Sequence, residues 1–365
     1  MDALPPETRL GYCCLYRPPV PDPKEAQRFN LSDTTIAALS RMERGDAFEK
    51  VLTLVARNLA ALEAHMRRVA TAAPLERLLR IGSNVLPAYT HPVARWIYGE
   101  PTMRELVEQG LARVGEVARA GGVRVSMHPG PFCILASTNP RAVENGVAEF
   151  EYHADLMRWM GFAGGWHPFG AHLNIHVGSA ATGTEGFRAG LGRLSADARN
   201  LITVENDEAQ FGLDALLPLA ESLPLVLDLH HHWVHSRGEY IQPDDPRLAQ
   251  VAASWRGVRP VSHVSVSRED VLPGHPPDQL PDYAALAAAG ATSTTLRAHS
   301  DMMWNLAVND WVAAHLEWTD IEVEAKFKNL ASHQLAEHVR GGTGRPQPQS
   351  GRLPSRSSSP PNSLG

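Results

Sequence analysis

Eight times along this chain a short apolar run rich in β-branched residues gives way to a longer segment of different periodicity. RLGYCCLY, LLRIGS, VRVSMH, LNIHVG, LITVEN, LPLVLDLHH, PVSHVSVS and TDIEVEAK read as the strands. Near-continuous apolar character marks strands covered on both faces, as in parallel sheets. Between them, residues 46–69 carry leucines and valines at helical spacing with charges opposite. PTMRELVEQGLARVGEVARAGG opens near proline and closes on glycines, the usual helix punctuation. Further helices are predicted over PRAVENGVAEFEYHADLMRWMGF, near 184–197, and over LDALLPLAES, DPRLAQVAASW, MMWNLAVNDWVAAHL and KFKNLASHQLAEHV. Strand then helix, repeated in this way, predicts an α/β fold: a (β/α)₈ TIM barrel, one domain over 1–340. A doubly wound open sheet is the alternative. It would need a topological switch point and usually a glycine-rich phosphate loop, and neither is visible. The stretch 268–300 leaves room for extra short structure. Over 341–365 Pro, Gly and Ser dominate, which predicts a disordered tail.

The 365 residues are 43% hydrophobic, enough for one large core. Lys and Arg number 34 against 40 Asp and Glu, a formal net charge of -6. That balance argues mildly against a nucleic-acid partner, but bound divalent cations would add positive charge where a phosphate sits. Three cysteines without a CxxC pair suit a reducing, cytoplasmic setting. MDALPPETRL lacks the pattern of a signal peptide. No apolar run approaches the ~20 residues of a membrane helix, so no membrane association is expected.

Histidine stands out at 17 copies, and position matters more than number. His65 and His315 lie in helical patterns and need no function. His128 and His176 end consecutive strands. A lone histidine there is more often structural, but two such strand ends should be neighbours on one rim. Glu205 ends ITVE, where a buried carboxylate is costly unless paired with a barrel arginine or bound to metal. In LVLDLHHHW, Asp228 and His230 fall on one side of an extended strand. Spacing alone does not choose between His230, His231 and His232. His263 within PVSHVSVS faces the axis or the helices. His299 lies in AHSD, and Glu324 ends the eighth strand with Lys326 two residues on, where a surface Glu–Lys pair is the alternative reading. Carboxylates and imidazoles without cysteine suit Mn²⁺, Zn²⁺ or Mg²⁺. Eight candidate ligands exceed one ion and suggest two or three sharing carboxylates. Ions about 3.5–4 Å apart can clamp a phosphodiester and generate hydroxide.

RLGY, SMHPG, HVG, ENDE, DLHHH and EAK, in this order, resemble the UV damage endonuclease family. Its members are metal-dependent (β/α)₈-barrel DNA repair enzymes related in architecture to endonuclease IV. The resemblance runs from RLGYCCLY to KFKNLASH. It implies ligands at His128, His176, Glu205, Asp228, His231, His263, His299 and Glu324, and is what selects His231. It implies a bridging Glu205, catalysis by Glu205, Asp228, Glu324 and Lys326, and two or three divalent ions, with manganese expected first. The implied partner is UV-damaged double-stranded DNA, with no obligate protein partner. The implied reaction is a nick immediately 5′ of cyclobutane dimers and 6-4 photoproducts, leaving a 3′-hydroxyl. Lesion and DNA contacts are expected from Tyr12, Tyr16, Arg17, His91, Pro131 and Phe132. Pro131 and Phe132 stand where the family often has Gln-Tyr. Phe132 can still wedge between bases. Val261 stands where a lysine can occur, and Tyr16 where an Asn is expected. A sugar isomerase of the xylose isomerase kind also gathers such ligands on a barrel, but in a closed polyol pocket. Arg17, Pro18, Tyr89, His91 and Phe132, in loops after the first three strands, favour an open nuclease groove. A non-catalytic metal-binding protein would hardly need so many ligands on one rim.

Overall fold

The computed structural model describes residues 5, 7–130 and 133–341. Its eight parallel strands close in chain order. They are β1 (Leu10–Cys13), β2 (Leu78–Ile81), β3 (Arg124–Met127), β4 (His172–His176), β5 (Ile202–Glu205), β6 (Leu225–Asp228), β7 (Val261–Val264) and β8 (Asp320–Val323). β8 pairs back onto β1, with Gly11 beside Glu322, so the sheet has no edge. That closure decides for the TIM barrel and against the open sheet.

The outer ring is α1 (Arg44–Ala70), α2 (Pro101–Ala120), α3 (Pro140–Trp159), α4 (Gly183–Leu191), α5 (Leu213–Leu216), α6 (Leu229–His235), α7 (Pro246–Ser254), α8 (Leu306–His315) and α9 (Asn329–Val339). In α1, Val51, Val55, Leu59, Leu62, Met66 and Val69 form the buried stripe that the helical spacing predicts. Two expectations need correction. The helix near 184–197 is two pieces, α4 and a short turn at Ala196–Arg199. The sixth strand does not run through the histidines. It stops at Asp228, whose carboxylate accepts from the His231 amide at 2.7 Å and so caps α6. The 268–300 stretch holds helices at Tyr283–Ala288 and Ser293–Leu296, and returns to the rim through a bridge between Ser267 and His299.

Alternate residues of each strand face the axis. On β8, Ile321 and Val323 join the aliphatic core against the helices. Asp320 and Glu322 carry ion pairs instead. Arg124 of β3 reaches Asp320 at 2.9 Å, and Arg80 of β2 reaches Glu322 at 2.6 Å. Many barrels fill this space with branched aliphatics. Here charge is stacked on charge below the rim, and breaking one such pair would cost several kcal/mol. Among the described residues, no helix is long and apolar enough to cross a membrane.

Buried histidines away from the rim set the response to acid. Burial pushes His65, His153 and His315 down to about 4, and His167 to about 3. An unfolded histidine titrates near ~6.5. Below that value the unfolded chain takes up protons that the fold refuses. The stability these groups contribute is therefore full above about pH 6.5 and is lost as pH falls toward about 4. Asp228, pushed up to about 7 by burial, works in the opposite sense over much of this window. Three uncompensated protons still amount to roughly 4 kcal/mol per pH unit at the steepest point. Thermal unfolding followed against pH should show the midpoint dropping sharply between pH 6.5 and 4.5. A level midpoint there would contradict the assignment.

Candidate metal centre

Strand register brings the rim residues together. His176 sits beside Glu205 across β4 and β5, Asp228 beside His263 across β6 and β7, and His263 beside Glu322 across β7 and β8. Glu205 is the hub. His128 Nε2 lies 3.4 Å and His176 Nε2 3.7 Å from its Oε2. His263 Nδ1 and His231 Nδ1 lie 3.0 and 3.5 Å from its Oε1. Asn174 donates to Oε2 and is itself held at 2.9 Å by the Thr203 hydroxyl. Burial would push the Glu205 carboxyl up, but the surrounding imidazoles, His263 and His176 first, hold it well below its ordinary value.

Two ligand groups share this carboxylate. His128, His176 and Glu205 can converge on one point, and Glu205, Asp228 and His263 on another. Glu205 Oε1 and Asp228 Oδ2 are buried with no hydrogen-bond partner. An orphaned buried carboxylate oxygen is costly, and a cation removes the cost. The residues therefore fit divalent ions, and their oxygen and nitrogen donors are of the right kind. His128 adds a tautomer clue. Its Nδ1 lies 3.0 Å from the Pro129 carbonyl, so Nδ1–H donates there and leaves the Nε2 lone pair aimed at the centre.

The capped start of α6 sends the three histidines in different directions. His231 is three residues after Asp228 on a helix, hence over it, with Nδ1 at 3.6 Å from Oδ2. His230 instead stacks on Trp233, and His232 pairs with Glu239 at 3.0 Å. His299 and Glu324 form the far side of the rim, 3.8 Å apart. Lys326 is half-exposed and pairs with Asp301 at 3.4 Å.

Several residues at the site escaped the sequence reading. Arg80 binds Glu324 at 2.5 Å. Asn206 brackets Asp228 with hydrogen bonds of 2.9 and 3.0 Å to its backbone, fixing β6 against the β5 end. Glu208 lies 3.8 Å from His231. The Asn and Glu stand inside the quoted ENDE motif, and that was their only signal. A cleft of about 230 Å³ opens beside His128 and His176, bordered by Asp207, Glu208 and Gln210.

A model of the family described as UV-endonuclease UvdE matches residues 8–345. The chain belongs to that family. A UV-damage endonuclease of Neurospora crassa is 30% identical over 202 residues, 52% of this chain but only 30% of that protein. A UV DNA damage endonuclease of Bacillus velezensis is 26% identical over 316 residues, 82% of this chain and 85% of that protein. A crystal structure of SacUVDE superposes with a TM-score of 0.69 at 21% identity, covering 92% of this chain and 98% of that one, which shows the shared barrel.

Within this UvdE-family barrel, two expected lesion contacts lie elsewhere. Tyr12 is buried and turned outward, its hydroxyl 2.8 Å from His65 Nε2 on α1. Tyr16 is 2% exposed, hydrogen-bonded to Glu25 at 2.7 Å and covered by the Arg68 guanidinium. Both are packing residues, because the alternation of β1 and the loop after it send these rings against α1. Arg17 is exposed and lies 4.8 Å over the Phe327 ring. His91 caps a short turn by accepting from the Val93 amide at 3.2 Å. Pro131 and Phe132 lie outside the described residues. Val261 is fully buried.

Proposed function

We propose that this chain is a DNA repair endonuclease that nicks the backbone immediately 5′ of cyclobutane pyrimidine dimers and 6-4 photoproducts and leaves a 3′-hydroxyl. It would use two or three divalent ions, Mn²⁺ first among them with Zn²⁺ and Mg²⁺ as alternatives, and would work in the cytoplasm. The observation that carries the proposal is Glu205: one buried carboxylate with an unpartnered oxygen, ringed by four imidazoles and shared by two ligand groups. Family membership supports the substrate class.

His128 and His176 would hold one ion with Glu205, and Asp228, His231 and His263 a second. His299 and Glu324 would complete the set. Ions in such a pair polarise the scissile phosphate and supply hydroxide near neutral pH. Arg17 at the rim would meet the backbone. Lys326, at the mouth beside Asp301, would stabilise charge on the leaving oxygen. Glu205 and Asp228 would hold the imidazole ligands in place while the phosphate enters. An open rim rather than a closed pocket suits a polymer better than a free sugar.

The test is nicking of UV-irradiated supercoiled plasmid with added Mn²⁺, beside unirradiated plasmid and an aldose–ketose assay. Nicks confined to irradiated plasmid, with ends that a polymerase extends, would support the proposal. Sugar isomerisation without nicking would overturn it. Duplex affinity should also fall roughly 10- to 100-fold between 50 and 200 mM salt, as expected for two to four neutralised phosphates. A flat dependence would count against DNA.

A further inference from the structure

Beneath the rim lies a charge cluster that the ligand set does not include. Arg80 projects from β2 into the barrel with its side chain only 6% exposed. One guanidinium grips three groups: Glu322 Oε2 at 2.6 Å, Glu324 Oε1 at 2.5 Å and His263 Nε2 at 2.8 Å. Glu322 is itself fully buried and also accepts from the Ser126 hydroxyl. Two of the three groups that Arg80 holds, Glu324 and His263, are candidate metal ligands.

We propose that Arg80 and Glu322 are the positioning pair of the metal centre, aiming Glu324 and His263 at the ion positions. The inference rests on the metal reading above. A guanidinium carries N–H donors only. Without an ion, His263 Nε2 therefore accepts from it, and Nδ1, 3.0 Å from Glu205 Oε1 and 3.4 Å from Glu324 Oε1, carries the ring hydrogen; an ion on Nδ1 would shift that hydrogen to Nε2. Glu322 Oε2 lies 3.3 Å from Nε2. It is the acceptor that nitrogen needs whenever Nδ1 gives its lone pair to an ion. Carboxylate support behind a ligating imidazole commonly sets metal affinity.

Charge argues the same way. Glu205, Asp228 and Glu324 bring three carboxylates to one buried rim, and their repulsion would swing the least constrained one outward. A permanent cation below Glu324 holds it down. Lysine could supply the charge but not the planar fork that reaches three partners at fixed angles.

The bland alternative is a buried ion pair that only fills the barrel. Such a pair can often be replaced by apolar residues of similar volume at little cost in stability. The two roles separate in the double variant Arg80→Met with Glu322→Leu, compared with Arg80→Gln in the full chain. Mn²⁺ affinity is read by isothermal titration and folding by circular dichroism melts. Arg80→Gln should bind Mn²⁺ about 10- to 100-fold more weakly. The double variant should regain much of the wild-type melting temperature while its Mn²⁺ affinity stays as weak. Wild-type affinity in either variant would overturn the proposal. Should the double variant not fold, Arg80→Lys decides: its charge is kept and its fork is lost. About tenfold weaker Mn²⁺ binding with a wild-type melt supports positioning, and unchanged affinity overturns it. If wild-type protein takes up no ion at all, it is the metal reading that has failed.

Discussion

Glu205→Gln should reduce nicking of UV-damaged DNA by at least about 10³-fold and strip the protein of bound metal while leaving it folded. The substitution is nearly isosteric, and the Asn174 side chain can still donate to the remaining carbonyl oxygen. What disappears is the negative charge that both ligand groups share. Losing one oriented electrostatic partner at a reacting centre typically costs 10²–10³ in rate. Losing the shared ligand of two groups should cost more, because both ions are released or displaced together. Nicking rate and metal content are measured on the same preparation, beside a circular dichroism spectrum. A variant that nicks at the wild-type rate with full metal occupancy removes Glu205 from the centre. A variant that unfolds says nothing about catalysis, and Asp228→Asn then carries the test, since Asp228 belongs to only one of the two groups and should show a smaller loss.

The barrel was legible because eight β-branched runs alternating with helices need cover on both faces, and neither a switch point nor a glycine-rich phosphate loop marked an open sheet. The meeting of these residues on one rim was legible because a polar residue at the end of an apolar strand needs a partner, and consecutive parallel strands make those ends neighbours. His176 beside Glu205 is the plainest case. Where the reading failed, two patterns competed. LDLHHH satisfies an extended period of two, and Asp followed by a helix satisfies capping. The cap prevailed, since Asp228 meets the His231 amide, and it changed which histidine lies over the carboxylate. Arg80 went unnoticed because it is a single charge within an apolar run, and Glu322 because only Glu324, at the strand's end, was weighed. The alternation in DIEVE was the available signal: three acids at spacing two must share a face. The same rule misplaced nothing for Tyr12, which alternates with Gly11 and Cys13 and so faces α1 rather than the axis. Its assignment to lesion contact took no account of the direction of the side chain.

Removing divalent ions should abolish nicking and also lower the melting temperature, and the second effect isolates binding from catalysis. An ion that binds only the folded state stabilises it by about 4 kcal/mol when its free concentration is a thousandfold above its dissociation constant. For a domain of this size each kcal/mol moves the midpoint by roughly 1–2 °C. Two ions should therefore raise it by on the order of 10 °C. The sign follows from the site itself. Without ions, Glu205 Oε1 and Asp228 Oδ2 are buried and unpartnered, and a cation relieves both. The wild-type midpoint is followed as Mn²⁺, Zn²⁺ or Mg²⁺ is titrated into chelator-treated protein, and Glu205→Gln is melted alongside. The shift should grow with ion concentration in the wild type and largely vanish in the variant. An equal shift in both proteins would place the stabilising ions at some other site, and the rim carboxylates would then have to be explained by proton uptake or ordered water instead of metal.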